Sequence, residues 1–201
     1  MSHVPPERYI ATLLKISELY CARDKRVLFD GLDLTLNEGD CVEVRGANGS
    51  GKSTLLRCVA GLYADYTGDI EASQSWYCGH KLGLSLVLSA EQNLAWYRGL
   101  AGDASDIAAA LERVGMRGYE RVACGSMSAG QQRRVALARM LVGARPLWLL
   151  DEPLTALDVA GQELVRSLIG EHISGGGAVV CATHQPLELV GARQLQLGER
   201  V

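Results

Sequence analysis

Hydrophobic and polar positions partly alternate in the first part of the chain. The alternation from Leu13 to Leu19 and from Val27 to Leu36 predicts two strands. A turn is expected inside the second strand at Asp30-Gly31, and the composition of residues 37–40, Asn-Glu-Gly-Asp, predicts a hairpin turn. The β-branched segment from Cys41 to Arg45 predicts a third, short strand.

Helical patterns follow. An apolar run at residues 55–62 suits a helix, and residues 103–114 and 159–173 have helix-forming compositions. The segments 89–100 and 128–142 each open on Ser and carry Gln at the fourth place, which is the pattern of a capping box.

Two uninterrupted apolar runs, residues 147–150 and 178–182, predict buried strands. Strands that alternate with helices in this way favour an α/β fold with a parallel sheet. Residues 1–12, which include Pro5-Pro6, are expected to form a flexible tail that precedes a single domain at residues 13–201.

A glycine-rich motif lies between the third strand and the first helix. Its residues are Gly46, Ala47, Asn48, Gly49, Ser50, Gly51, Lys52 and Ser53, followed by Thr54. This spacing matches G-x-x-x-x-G-K-[ST], in which backbone amides cradle phosphate oxygens, the lysine reaches the β- and γ-phosphates and the serine hydroxyl binds Mg²⁺. The motif therefore predicts a site for a nucleotide and Mg²⁺.

An acidic pair, Asp151-Glu152, ends the apolar run Leu147-Trp-Leu-Leu. A strand that delivers an aspartate to its carboxyl end is typical of the Mg²⁺-binding strand of P-loop enzymes. Glu152 could orient and deprotonate the attacking water. Alone, the pair would more often be a solvated turn, but the upstream phosphate-binding motif favours a shared active site.

A third motif is specific to one protein family. The segment that begins at Met127 continues with Ser128, Ala129, Gly130 and Gln131. It resembles the signature motif of ABC-transporter ATPases, with Met127 and Ala129 in place of the usual Leu and Gly. The resemblance implies that this segment completes the nucleotide site of the other subunit in a head-to-tail homodimer.

Two further matches come in the order of the same family. The segment from Thr155 to Asp158 resembles the D-loop, which lines the dimer interface, and Thr183-His184 resembles the switch histidine that contacts the γ-phosphate. The family resemblance implies a P-loop NTPase core sheet with an antiparallel β lobe and a short helical subdomain near residues 80–142. It implies ATP hydrolysis, with Lys52, Glu152 and His184 as the catalytic residues.

Two positions depart from the family pattern. His80 stands where a glutamine usually contacts Mg²⁺, so its role as a metal ligand is open. The family usually stacks an aromatic residue on adenine near the first strand, and here Arg23 takes that place, with Tyr20 and Phe29 close by. The sequence does not distinguish among these three.

The segments Gly79-His-Lys-Leu-Gly-Leu84 and Thr183-His-Gln-Pro186 are similar to those of one subfamily, the ATP-binding subunits of cytochrome c maturation. That resemblance implies a multi-span membrane subunit and cytochrome c maturation proteins as partners. It places the chain peripherally, on the cytoplasmic face of the bacterial inner membrane. The expected function is to couple ATP hydrolysis to haem export or to release of a haem-loaded chaperone.

Composition and charge limit the other classes of protein to which the chain could belong. The 201 residues suit one domain, and a net charge of −3 gives no chain-wide basic footprint for nucleic acid. The six cysteines include no C-x-x-C pair, so free, mostly buried thiols are expected. No secretory leader and no membrane span is predicted. The alternatives are another transporter's ATPase, for lipoproteins or small solutes, a soluble ABC ATPase, and a P-loop kinase.

Overall fold

Two β-sheets and five α-helices make up the part of the chain that the computed structural model describes, residues 10–155 and 157–198. The strands are β1 (Thr12–Arg23), β2 (Arg26–Asn37), β3 (Cys41–Arg45), β4 (Thr67–Ala72), β5 (Ser75–Cys78), β6 (Leu147–Asp151), β7 (Ala178–Ala182) and β8 (Arg193–Gln196). The helices are α1 (Lys52–Val59), α2 (Ala90–Ala101), α3 (Ile107–Arg113), α4 (Ala129–Leu141) and α5 (Val159–Ser174).

The larger sheet is parallel, with strand order β5-β6-β7-β3-β8. Every residue of β6 and β7 is buried, which explains their uninterrupted apolar sequences, since helices and the second sheet cover both faces. Parallel strands end at the same edge, so the residues that follow β3, β6 and β7 come together there. The prediction of an α/β fold with a parallel sheet is confirmed.

The smaller sheet is antiparallel, in the order β2-β1-β4. The hairpin turn of this sheet is Asp24-Lys25, where both residues have positive φ. The predicted hairpin turn at residues 37–40 is wrong, because this turn leads from β2 into β3 of the other sheet. The turn expected at Asp30-Gly31 is also wrong: β2 runs through it with a shift of register, and Gly31 takes a φ of 63°.

Both predicted capping boxes are present. Ser89 caps α2 with Gln92, and Ser128 caps α4 with Gln131. The third helix begins later than predicted, because the cap of α3 is Asp106, whose carboxylate accepts hydrogen bonds from two first-turn amides. Asp103, where the helix was expected to begin, instead accepts a hydrogen bond from the amide of Ala104 in the preceding loop.

The core has two parts, one on each face of the parallel sheet. Successive side chains of a strand point to opposite faces, so Leu147 and Leu149 of β6 join the part that contains α1 and the antiparallel sheet. Trp148 and Leu150 join the part that contains α2, α3 and α4. The segment from α2 to α4 therefore packs on the opposite face of the sheet from the antiparallel lobe.

All six cysteines are buried and free, as predicted. Burial raises the pKa of Cys41 to about 12, so this thiol keeps its proton. No helix in the described ranges has the length and hydrophobicity needed to cross a bilayer. Most of the predicted tail, residues 1–9, lies outside the described residues, and Thr12 already belongs to β1.

Candidate active site

The glycine-rich motif forms the connection from β3 to α1. Gly46, Gly49 and Gly51 have φ values of 145°, 78° and 102°, which residues with a Cβ rarely adopt. A Cβ on Gly46 would lie 2.5 Å from the carbonyl oxygen of Leu197, so glycine is required there. No side chain caps α1, and its first-turn amides therefore remain available to an anion.

Lys52, the first residue of α1, is buried and folds back over the loop. Its Nζ donates hydrogen bonds to the carbonyl oxygens of Gly46 at 2.8 Å and Ala47 at 3.0 Å. The ammonium group is thus held beside the backbone that would surround phosphate, and a bound phosphate would replace these carbonyls as its partner.

Ser53 meets the acidic strand. Its Oγ donates a hydrogen bond of 2.9 Å to Oδ1 of Asp151, which is buried at the end of β6. The hydroxyl of Tyr77 lies 3.3 Å from the other carboxylate oxygen and donates to it. Burial raises the pKa of Tyr77, so the phenol stays protonated and remains a donor.

Glu152 follows Asp151 with a φ of 52°, a left-handed conformation that is uncommon for a residue with a side chain. Its amide donates to the carbonyl oxygen of Ala182 at 2.8 Å. Its own carbonyl oxygen accepts a hydrogen bond from Nη2 of Arg133 in α4. Both sides of this residue are therefore held by neighbouring elements.

His184 lies two residues beyond β7, the strand between β3 and β6. Its Nε2 is 3.4 Å from Oε1 of Glu152, and its backbone amide donates to Oε2 at 3.4 Å. The strand order explains the meeting: the end of β7 must emerge between the phosphate-binding loop and the acidic pair.

These residues share one open cavity of about 930 Å³. Its lining includes the predicted residues Asn48, Gly49, Gly51, Lys52, Ser53, Thr54, Asp151, Glu152 and His184, together with His80. Polar side chains from the glycine-rich loop, from α1 and from the segments that follow β6 and β7 thus line a single space, which is the arrangement that a nucleoside triphosphate and an attacking water would need.

The lining of the cavity distinguishes among the three residues that could stack on adenine. Arg23 lines the cavity, together with Arg26 and Leu28 of the hairpin, whereas Tyr20 and Phe29 do not. Phe29 is only 6% exposed and packs into the core instead. Of the three residues that the sequence left open, Arg23 alone lies at the site.

The segment that resembles the signature motif lies apart from this cavity. Ser128 and Ala129 are exposed, Gly130 and Gln131 are half-buried, and none of the four lines the cavity. Asp158 caps α5 through the amide of Gly161, and Ala156 of the same segment lies outside the described residues. The chain therefore does not bring these residues to its own site.

Sequence reasoning missed two residues that contact the acidic pair. Tyr77 stands on β5, which pairs with β6, so its position next to Asp151 follows from a strand order that the sequence does not reveal. Arg133 lies two residues after the signature-like segment, but nothing in the local pattern shows that its side chain turns inward to Glu152.

A family model described as ABC transporter matches residues 29–155. Among curated proteins, a "Cytochrome c biogenesis ATP-binding export protein CcmA" from Pseudomonas putida is 45% identical, over 92% of this chain and 97% of that protein. A protein of the same name from Saccharophagus degradans is 42% identical, over 90% of this chain and 91% of its own length.

Solved structures agree with this likeness. An ABC transporter ATP-binding protein from Pyrococcus furiosus aligns with a TM-score of 0.80 at 26% identity, over 92% of this chain and 96% of its own. A metal-chelate type ABC transporter in an inward-facing conformation aligns with a TM-score of 0.78 at 28% identity, over 92% of this chain and 79% of that one.

Proposed function

The chain belongs to the ABC transporter family as an ATP-hydrolysing subunit, and from that premise we propose which residues carry hydrolysis and what the cycle drives. The observation that carries the proposal is the contact of Ser53 with Asp151 at 2.9 Å, in the same cavity as Glu152 and His184. This contact joins the phosphate-binding loop to the acidic strand, and hydrolysis of a nucleoside triphosphate requires both.

Residues 46–54 bind the phosphates in this proposal. Their amides supply the donors, and Lys52 exchanges the carbonyl oxygens of Gly46 and Ala47 for the β- and γ-phosphates. Arg23, whose planar guanidinium lines the same cavity, would stack on the base.

The residues present fit a magnesium ion. Ser53 Oγ and Asp151 Oδ1 are hard oxygen donors within hydrogen-bond distance of each other, and Mg²⁺ prefers such ligands. Ser53 would hold the ion directly and Asp151 through water, and the ion would neutralise charge on the phosphates. His80 is kept as a residue of the cavity wall, because an imidazole nitrogen is a poorer ligand for Mg²⁺ than an oxygen.

Glu152 is the proposed general base. The backbone amide of His184 donates to one carboxylate oxygen at 3.4 Å, and its imidazole Nε2 lies 3.4 Å from the other, so His184 lies beside the carboxylate that would take the proton of the attacking water. His184 would also contact the γ-phosphate. The remaining groups come from the second subunit of the dimeric ATPase: Ser128, Ala129, Gly130, Gln131 and Asp158, which do not line the cavity of their own chain.

A membrane-spanning subunit is the partner of ABC ATPases, and exposed apolar side chains of this chain suggest where it docks. Four of the large apolar side chains that are more than half exposed come from one short stretch of the chain: Leu86 (56% exposed), Val87 (85%), Trp96 (60%) and Leu100 (57%). All four belong to α2 or to the loop that precedes it. We assign these four residues as the docking surface for the membrane subunit.

The relatives' names supply the process. The ATPase would act in cytochrome c biogenesis, with cytochrome c maturation proteins as its partners, at the cytoplasmic face of the bacterial inner membrane. The hydrolysis cycle would drive export of haem or release of a haem-loaded chaperone.

The test combines turnover with co-purification. The full chain, tagged and purified from detergent-solubilised native membranes, is compared with Glu152→Gln and with Glu163→Gln, an exposed control. Loss of the base should lower ATP turnover by about 10²- to 10⁴-fold while ATP remains bound, and the control should match the unaltered chain. Wild-type turnover in Glu152→Gln would refute the assignment of the base.

The same preparations identify the partners. Mass spectrometry should detect a multi-span protein with cytochrome c maturation proteins, and Trp96→Glu should lose them while Val190→Glu, which alters another exposed apolar side chain, keeps them. A haem spectrum in the eluate supports the haem assignment. An unrelated permease would reject cytochrome c biogenesis and leave the ATPase chemistry standing.

A further inference from the structure

Arg133 contacts the acidic pair from an unexpected direction. It belongs to α4, the helix capped by Ser128, and it is only 8% exposed. Its Nη2 donates to the backbone carbonyl oxygen of Glu152 and not to a carboxylate. The contact therefore joins the helix that carries the signature-like segment to the peptide of the proposed base.

The backbone at Glu152 needs such support. Its φ of 52° is sparsely populated by residues with a side chain and persists only where the surroundings fix it. Three hydrogen bonds do so: the amide donates to the carbonyl oxygen of Ala182 in β7 at 2.8 Å, and the carbonyl oxygen accepts from Arg133 and from the amide of Thr155 at 3.2 Å. Because Cβ has a fixed position relative to N, Cα and C, bonds that hold both flanking peptides also fix the direction of the Cα–Cβ bond, from which the carboxylate extends.

Burial alone would not assign this role. Arg139 of the same helix is even more buried, at 3% exposure, and donates to the carbonyl oxygens of Tyr77 and Leu82. Both arginines satisfy backbone acceptors between elements. Only Arg133 has the peptide of Glu152 as its target, so the two side chains form a natural pair of test and control.

We propose that Arg133 is a positioning residue for hydrolysis: its bond to the Glu152 carbonyl fixes the conformation that aims the carboxylate at the attacking water. The proposal rests on the proposed function of Glu152 as general base. It makes the aim of the carboxylate depend on the position of α4.

The first test separates turnover from binding in the full chain purified with its accompanying membrane proteins. A misplaced base should slow the chemical step, so Arg133→Met should lower kcat by about tenfold or more, with KM for ATP changed less than about twofold. Arg133→Lys keeps a donor and should recover part of kcat. Thermal unfolding verifies that each variant folds, and Arg133→Lys carries the test if Arg133→Met does not.

The second test is a double-mutant cycle with Glu152→Gln. If Arg133 acts through Glu152, Arg133→Met should leave the residual turnover of Glu152→Gln unchanged within about twofold. Arg139→Met should instead change turnover by the same factor in the unaltered chain and in Glu152→Gln. Equal losses from Arg133→Met in both backgrounds, or an unchanged kcat, would overturn the proposal. Wild-type turnover of Glu152→Gln alone would overturn the base assignment instead.

Discussion

Asn93 of α2 holds the loop before that helix, and its removal should have a large, calculable effect. The side chain is 3% exposed. Its Oδ1 accepts from the amide of Ser85 at 2.8 Å, and its Nδ2 lies within 3.0 Å of the carbonyl oxygens of Ser85 and Ser89 and 3.3 Å from that of Leu88.

The magnitude follows from the number of bonds that one amide can make. Nδ2 has two hydrogens for three carbonyl oxygens, so Asn93→Ala removes about three hydrogen bonds, at about 1 kcal/mol each. The free energy of unfolding should fall by about 3 kcal/mol, which corresponds to a decrease in Tm of about 6 to 12 °C for a domain of this size.

The measurement is thermal unfolding of the full chain, followed by circular dichroism and calorimetry. Asn93→Asp is the matched variant, because it keeps the acceptor but places a charge beside the carbonyl oxygens, and its Tm at pH 7 should be lower than that of Asn93→Ala. A decrease below about 2 °C for Asn93→Ala would show that the loop does not depend on these bonds, and would refute the reasoning.

Three other predictions concern single positions. Gly143→Ala should destabilise the fold, because φ at this position is 73° and the new Cβ would lie 2.2 Å from the Cβ of Ala101. Gly99→Ala, in open space within α2, should instead raise the free energy of unfolding by about 1 kcal/mol. Denaturant titration measures both changes. Burial lowers the pKa of His172 from 6.5. The unfolded chain therefore takes up the proton first, and stability should be lost as pH falls below about 6.5, a loss in Tm that His172→Phe should lack. Ser53→Ala should raise the Mg²⁺ concentration for half-maximal turnover by about tenfold or more, and unchanged Mg²⁺ dependence would contradict the assigned ligand.

Local signals in the sequence predicted local structure well. The Ser-to-Gln spacing at Ser89 and Ser128 identified two helix starts, because a capping box uses only atoms within one turn. The apolar runs of β6 and β7 also predict strands correctly, because an uninterrupted apolar run is itself the sign of a strand that is buried on both faces. The start of α3 was missed because Asp103 and Asp106 are both acceptable caps, and the loop contacts of Asp103 decided between them.

Long-range pairing was less accessible. The turn signal at residues 37–40 is real, but composition does not reveal that the next strand joins another sheet. The same limit applies to the site. Its motifs gave Lys52, Ser53 and Asp151, since each belongs to a contiguous pattern, whereas Tyr77 and Arg133 reach the acidic pair only through tertiary packing.

The place of β7 has a consequence for synthesis of the chain. This strand lies between β3 and β6, yet it is the last of the three to leave the ribosome. Until residue 182 has emerged, the edges of β3 and β6 have no strand between them, and such unpaired edges favour aggregation. The nascent chain therefore completes its phosphate-binding loop early. It joins β3 and β6 into one continuous sheet, and so forms a functional site, only near the end of translation.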